Sequence, residues 1–182
     1  MKKVYLIRHS LPDFPGGKRM CLGTTDIPLS PAGIAQAAEA AKKLPPVAAV
    51  FSSPLKRAVQ TAQATGMPVT VMEGLRELYA GAWDGLTFDT IKERYPDLYA
   101  ARGTDRTIPL PEAESNEAGL ARFLQALTQA VQSVPGDVAV VTHGGVTALL
   151  LQHLSGVWKK PGYGEIIVLS FENGNFALQE ES

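Results

Sequence analysis

Cysteine is nearly absent from this chain. Cys21 is alone among 182 residues, which excludes an internal disulfide framework and a cysteine-based metal cluster. It reads as a small packed or incidental side chain. Histidine is scarce too, with three copies, none at metal-ligand spacing. No apolar run approaches the length of a membrane span, and the one after Met1-Lys2-Lys3 stops at Arg8, too short for the core of a signal peptide. The expected location is the cytoplasm, with no membrane partner. Neither sign of charge dominates: 17 Lys and Arg stand against 18 Asp and Glu, for a net charge of −1. Bulk charge therefore offers no attraction to nucleic acid or to an anionic surface. Affinity for an anion has to come from a local group of Arg and His.

What is present is a chain of ordinary globular composition, 45% hydrophobic and 19% charged. Its length fits one domain, residues 1–182, with no repeat or composition shift to divide it. Apolar, β-branched runs at 3–8, 47–51, 68–72, 137–142 and 165–170 read as strands. Asn173-Gly174-Asn175 reads as a hairpin turn joining the last strand to a final antiparallel one. Between the strands lie helical patterns. Residues 31–44 follow the Ser30-Pro31 start signal, and residues 54–65 follow Ser53-Pro54. A shorter helix, 86–95, stops before Pro96; a longer one covers 115–133, and a last one follows His143. The expected fold class is α/β, three layers αβα, with a mostly parallel central sheet and an antiparallel edge. Residues 96–115 are weakly patterned and read equally as a lid over a site or as a plain surface connection.

Two histidines stand where strands should end. His9 follows Val4-Tyr5-Leu6-Ile7-Arg8, and His143 follows Val138 to Thr142 and precedes Gly144-Gly145. In open α/β sheets, ligands bind at the carboxyl ends of the strands. Phosphoryl transfer needs positive groups around the phosphoryl oxygens, an in-line nucleophile and a proton donor for the leaving oxygen. Arg8 and Arg57 can each fork onto phosphate oxygens. A neutral imidazole can attack phosphorus, and a charged one can stabilise the oxyanion. Glu77 precedes a Gly- and aromatic-containing loop, Tyr79 to Gly85, whose partly apolar character would keep a carboxyl protonated for general-acid work. His153, ten residues past His143, reads as a helix-surface or packing residue.

Taken in order, five blocks resemble those of the histidine phosphatase superfamily, in particular its phosphoglycerate-mutase-like branch. They are Leu6-Ile7-Arg8-His9; Gly23-Thr24-Thr25-Asp26 through Gly33; Ser52-Ser53-Pro54-Leu55-Lys56-Arg57-Ala58 through Ala62; Leu75-Arg76-Glu77 with the Gly81–Gly85 loop; and Val141-Thr142-His143-Gly144-Gly145. Together they reach over roughly residues 3 to 170. The resemblance implies the phosphoglycerate-mutase-like fold and a nucleophilic His9 that forms a phosphohistidine. It implies that Arg8, Arg57 and His143 hold the phosphoryl group, that Glu77 protonates the leaving oxygen and then activates water, and that Thr24 lies at the pocket rim. It also implies no metal and no cofactor.

Three positions depart from the family pattern. Ser10 stands where Gly is usual after the nucleophile, placing a hydroxyl where it can donate to phosphate or a Cβ where it can crowd the site. Leu11 to Gly17 replaces a stretch that normally supplies an Asn, and Pro111-Glu112-Ala113-Glu114-Ser115 stands where Pro-Gly-Gly-Glu-Ser is usual. The short chain is similar to the phosphatases rather than to the longer cofactor-dependent mutases, and among phosphatases to the α-ribazole-phosphate phosphatases. The expected activity is therefore metal-independent hydrolysis of a small phosphorylated metabolite, such as α-ribazole 5'-phosphate. A phosphoglycerate mutase, a phosphohistidine protein phosphatase and a non-catalytic phosphate-binding protein are the competing readings. No exposed hydrophobic stripe marks an oligomer interface, so the oligomeric state is left open.

Overall fold

Runs that are apolar on both faces belong inside a covered sheet. The computed structural model, which describes residues 1–179, places them there. Among the described residues are the strands β1 (Lys2–Arg8), β2 (Ala49–Ser52), β3 (Val69–Val71), β4 (Val138–Thr142), β5 (Ile166–Glu172) and β6 (Asn175–Leu178). They form one sheet in the order β3-β2-β4-β1-β5-β6. The first four in that order run parallel, and β5 and β6 add the antiparallel edge. The turn between β5 and β6 puts Asn173 at φ 51° and Gly174 at φ 83°, the left-handed pair that suits a tight hairpin.

The helices are α1 (Pro31–Lys42), α2 (Lys56–Gln63), α3 (Phe88–Arg94), α4 (Pro96–Thr104), α5 (Asn116–Gln132) and α6 (Gly144–Ser155). Alternation along the central strands divides the core in two. Val4, Leu6, Val138 and Val140 face Phe123, Leu127 and Val131 of α5 and Leu150 of α6. Tyr5, Ile7, Ala139 and Val141 face Ala58 and Ala62 of α2 and Leu44, just past α1. These are the three layers αβα expected of alternating strands and helices.

Helix boundaries differ from the sequence pattern in three places. α2 starts at Lys56, with Leu55 in the cap position and no side-chain cap; the Ser53 hydroxyl, 2.7 Å from His143 Nε2, accepts from Leu55 N–H at 3.3 Å and not from the first turn of the helix. The helix expected at 86–95 starts at Phe88, where Thr87 Oγ1 accepts a hydrogen bond from Thr90 N–H at 3.2 Å. Pro96 closes α3 and also opens α4 as its first residue. Tyr95, at φ −133° and ψ 53°, has left the helical region, as a residue before proline tends to do. Part of the weakly patterned 96–115 stretch is thus helical. None of the α4 residues is buried, so no apolar period announces it.

Candidate active site

Strand register brings the two histidines together. Arg8 of β1 pairs with Thr142 of β4, so the next residues, His9 and His143, leave the sheet side by side. Their ring centroids are 5.1 Å apart, and His9 N–H donates to the Thr142 carbonyl at 2.9 Å. His9 is 4% exposed and His143 fully buried. The His9 Nδ1 lies 2.8 Å from the Ser10 carbonyl oxygen. A carbonyl only accepts, so Nδ1 carries the proton and the Nε2 lone pair is left free. Burial, and then the positive charge of Arg57, hold His9 well below its usual pKa. The same two causes, with His9 and Arg8 adding to them, hold His143 well below its usual pKa. Both rings are therefore neutral near pH 7.

Each arginine is positioned by backbone carbonyls. Arg57, fully buried, donates from Nη1 to the Thr25 carbonyl at 2.8 Å and from Nη2 to the Gly23 carbonyl at 2.9 Å. Arg8 donates from Nη1 to the Pro161 carbonyl at 2.5 Å, and its guanidinium lies 3.9 Å from the centre of the Tyr163 ring. The free two-armed forks expected from sequence are thus partly engaged. What remains is telling: Arg8 Nε, Arg57 Nε and His143 Nδ1 are buried without a partner. Unpaired buried polar atoms are rare and costly, and these three, on residues that act on or lie against His9, could pair with an anion.

Glu77 is not wrapped in the partly apolar loop expected for it. Its Oε2 accepts from Gly145 N–H at 2.8 Å, and its Oε1 from Val146 N–H at 2.7 Å and Leu78 N–H at 2.9 Å. The first two are donors of the opening turn of α6, so Glu77 caps that helix from outside while His143 occupies the cap position without a side-chain bond. The segment carrying Glu77 is pinned as well. Thr142 Oγ1 donates to the Leu75 carbonyl at 2.9 Å, and Arg122 Nη1 donates to the carbonyls of Gly74 and Arg76 at 2.7 and 3.0 Å. Glu114 in turn holds Arg122 through two nitrogens at 2.8 and 2.9 Å.

Arg8, His9 and Glu77 line a cavity of about 730 Å³. Arg57 and His143 stand behind it, fully buried. Ser10 and Thr24 do not line it. The Ser10 hydroxyl has no partner and lies near Gly164 and Gln36, while its N–H is held by Thr61 Oγ1 at 3.0 Å. Thr24 donates to Asp84 from N–H at 2.7 Å and from Oγ1 at 3.0 Å. Asp84 also accepts from Gly23 N–H and from Thr25 N–H and Oγ1. Burial alone would raise the Asp84 pKa, but the Thr25 and Thr24 hydrogen bonds outweigh it and hold the carboxyl below its ordinary value. Gly23-Thr24-Thr25 is therefore clamped between Asp84 on one side and Arg57 on the other.

Several of these supports carry no sign of that role in the sequence: Ser53, whose Oγ lies 2.7 Å from His143 Nε2, with Thr61, Asp84, Arg122 and Tyr163. Asp84 lies in the Tyr79–Gly85 loop, directly after the Gly81–Trp83 turn. Of the remaining residues considered, Cys21 lines the cavity with its thiol pushed up to about 11 by burial, and His153 is exposed on α6. Among the described residues, no group of three or more His, Cys, Asp or Glu is arranged to hold a metal ion, and no helix is long and apolar enough to cross a membrane.

A cavity at the carboxyl end of a parallel sheet, with a neutral histidine and unpaired cationic donors, defines a phosphoryl-handling protein of the α/β class. Residues 4–180 match the histidine phosphatase superfamily (branch 1). A glucosyl-3-phosphoglycerate phosphatase of Mycobacterium tuberculosis is 34% identical over 165 residues, covering 82% of this chain and 73% of that protein. An uncharacterized phosphatase, PhoE, of Bacillus subtilis is 30% identical over 164 residues, covering 86% and 79%. The structure of a mycobacterial glucosyl-3-phosphoglycerate phosphatase with VO3 superposes with a TM-score of 0.84 at 31% identity, covering 98% of both chains. The α-ribazole phosphatase of Shigella flexneri shares the fold, with a TM-score of 0.80 at 22% identity over 97% of this chain and 94% of that one. The chain belongs to the histidine phosphatase superfamily, and it is a phosphoric monoester hydrolase.

Proposed function

We propose that the chain hydrolyses a small phosphorylated metabolite through a phosphohistidine on His9, without a metal. The observation that carries this reading is the His9 tautomer. With Nδ1–H committed to the Ser10 carbonyl, Nε2 keeps a lone pair at a cavity that Arg8 also lines, with Arg57 and His143 buried behind it and one nitrogen of each of the three unpaired. In the first step Nε2 attacks phosphorus. The N–P bond forms as the ester P–O bond breaks, and Glu77, on the same cavity wall, gives the leaving oxygen its proton. In the second step water gives a proton to Glu77 and its oxygen attacks phosphorus. The N–P bond breaks, phosphate leaves and neutral His9 returns. Arg8, Arg57 and His143 hold the phosphoryl oxygens throughout. Thr24 serves through the Asp84 clamp on the Arg57 side, and Ser10 through its backbone carbonyl.

The relatives' names support a metabolite substrate rather than a protein. A glucosyl-3-phosphoglycerate-type ester is a better starting substrate than α-ribazole 5'-phosphate, because the glucosyl-3-phosphoglycerate phosphatases are 34% identical over 82% of this chain whereas the α-ribazole phosphatases share only the fold. The test is steady-state phosphate release from p-nitrophenyl phosphate and a panel of sugar, glycerate and ribazole phosphates, with EDTA present. Wild-type turnover should survive EDTA and His9→Ala should retain less than about 1% of it, since loss of a nucleophile removes several orders of magnitude. Loss of turnover in EDTA that added metal restores, or activity well above that level in His9→Ala, would overturn the proposal.

A further inference from the structure

The cavity holds more positive charge than one phosphoryl group requires. Beyond Arg8, and Lys92 of α3 over the Tyr99 ring, its lining carries Arg19 from the loop after β1, Arg102 from α4, Arg106 just past α4, and Lys160 from the loop after α6. The four come from three segments far apart in sequence, and they cluster. Lys160 lies within electrostatic reach of Arg8 and Arg19, and Arg102 within reach of Arg106; Lys160 and Arg102 both act on Cys21, which lines the same cavity.

None of the four forms a salt bridge among the described residues. The carboxylates nearby are engaged elsewhere: Glu77 on the opening turn of α6, Glu114 on Arg76 and Arg122, Asp84 on Thr24 and Thr25. Two of the cations are also positioned. Arg102 donates to the Ile108 carbonyl and lies 5.7 Å from the centre of the Trp83 ring. Lys160 sits in an exposed loop, but its Cε end packs against Gly144 beside Arg8, 2.6 Å from where a Cβ would be. Like charges held this close repel one another, and a pocket lined by one sign of charge concentrates ligands of the other.

We propose that the substrate is a phosphomonoester with a second acidic group, a carboxylate or a further phosphate, which Arg102 and Lys160 hold while the scissile phosphoryl lies at His9. This rests on the phosphatase reading above and adds the substrate class. Arg102 and Lys160 are then specificity-determining residues, with Arg19 and Arg106 raising the local attraction. The Trp83 and Tyr99 rings, 6.2 Å apart and tilted by 32°, line the same cavity and give the body of the substrate aromatic surface beside these cations.

The test is a ratio of kcat/KM values for matched esters: 3-phosphoglycerate against glycerol 3-phosphate for a carboxylate, and fructose 1,6-bisphosphate against fructose 6-phosphate for a phosphate. Wild type should favour the acidic member of one pair by about tenfold or more, the range of a charge-assisted hydrogen bond. Arg102→Met and Lys160→Met should each bring that ratio toward one, and Arg102→Lys should restore part of it. Lys160→Met changes an exposed loop and keeps the test open if Arg102→Met does not fold. Equal turnover within both pairs, or a ratio that neither variant moves, would overturn this inference alone. A wild-type protein that hydrolyses no ester, p-nitrophenyl phosphate included, would overturn the phosphatase reading and this inference with it.

Discussion

On the reading above, His9 acts as a neutral imidazole, and its surroundings keep it neutral. Burial and Arg57 lower its pKa well below 6.5, and burial and Arg57 do the same to His143. In the free enzyme the acid limb of kcat/KM therefore lies below pH 6.5, and activity toward p-nitrophenyl phosphate should be flat through neutrality and decline only in more acidic buffer. An acid limb above pH 6.5 would show that the ring titrates as if solvated. The same shifts bear on stability. In the unfolded chain both rings titrate near 6.5, whereas in the folded state they resist protonation. The folded state is thus favoured above that pH, and the advantage is lost as pH falls through the window beneath it. Asp84 has the sign of an ordinary salt-free carboxylate cap. Held below its usual value of 3.8, it contributes above that value and loses its contribution on further acidification. Denaturant midpoints measured from pH 7.5 down to 3 should fall in two stages, the first below pH 6.5 and the second below about pH 4.

At the scale of elements, the opening turn of α6 ties Glu77, the proposed proton donor, to the sheet. The N–H groups of Gly145 and Val146 hold both oxygens of Glu77, and a Cβ on Gly145 would come within 2.8 Å of Oε1 and 3.1 Å of Oε2. Gly145→Ala must push that carboxyl aside without touching His9. The expected outcome is a loss on the order of 10²-fold in kcat for alkyl phosphates, the effect of a displacement of about 1 Å. The loss should be much smaller for p-nitrophenyl phosphate, whose leaving phenol needs little proton assistance. Equal losses on both substrates would remove Glu77 from the proton-donor role. The sequence made β1, β4 and the two histidines at their ends visible because strands covered on both faces are continuously apolar and end abruptly. It did not make α4 visible, since no residue of that helix is buried. Nor did it reveal the Asp84 clamp on Thr24, or Arg122 on the Glu77 segment. These pairings join residues 60 and 46 positions apart, and such contacts leave no local period. Ser53-Pro54 misled for a related reason: a residue that caps helices in isolation is drawn 2.7 Å from His143 across the sheet, and α2 starts two residues later than its start signal indicates.

Over the whole molecule, the site closes distances that the chain leaves open. The end of β1 supplies Arg8 and His9, α2 supplies Arg57, the segment after β3 supplies Glu77, and the end of β4 supplies His143. The loop 161–163 holds Arg8, and the loop 23–25 holds Arg57. An anion that pairs with the unpaired Arg8, Arg57 and His143 nitrogens would therefore tie both halves of the sheet and two long loops to one centre. Such an anion binds only the folded chain, because the unfolded chain has no means of bringing these groups together. Mass action then stabilises the fold by about 2.7 kcal/mol when free ligand stands at roughly 100 times its Kd. For a domain of this size that corresponds to a rise of about 5–10 °C in Tm. Inorganic phosphate or vanadate, titrated in a thermal unfolding experiment, should produce this rise, growing with the logarithm of concentration above Kd. Arg57→Met, with one cationic arm gone, should show a much smaller rise at the same concentrations. If the rise were the same in wild type and Arg57→Met, the anion would be acting elsewhere on the surface, and the convergence of these four segments and two loops would not be a phosphate site.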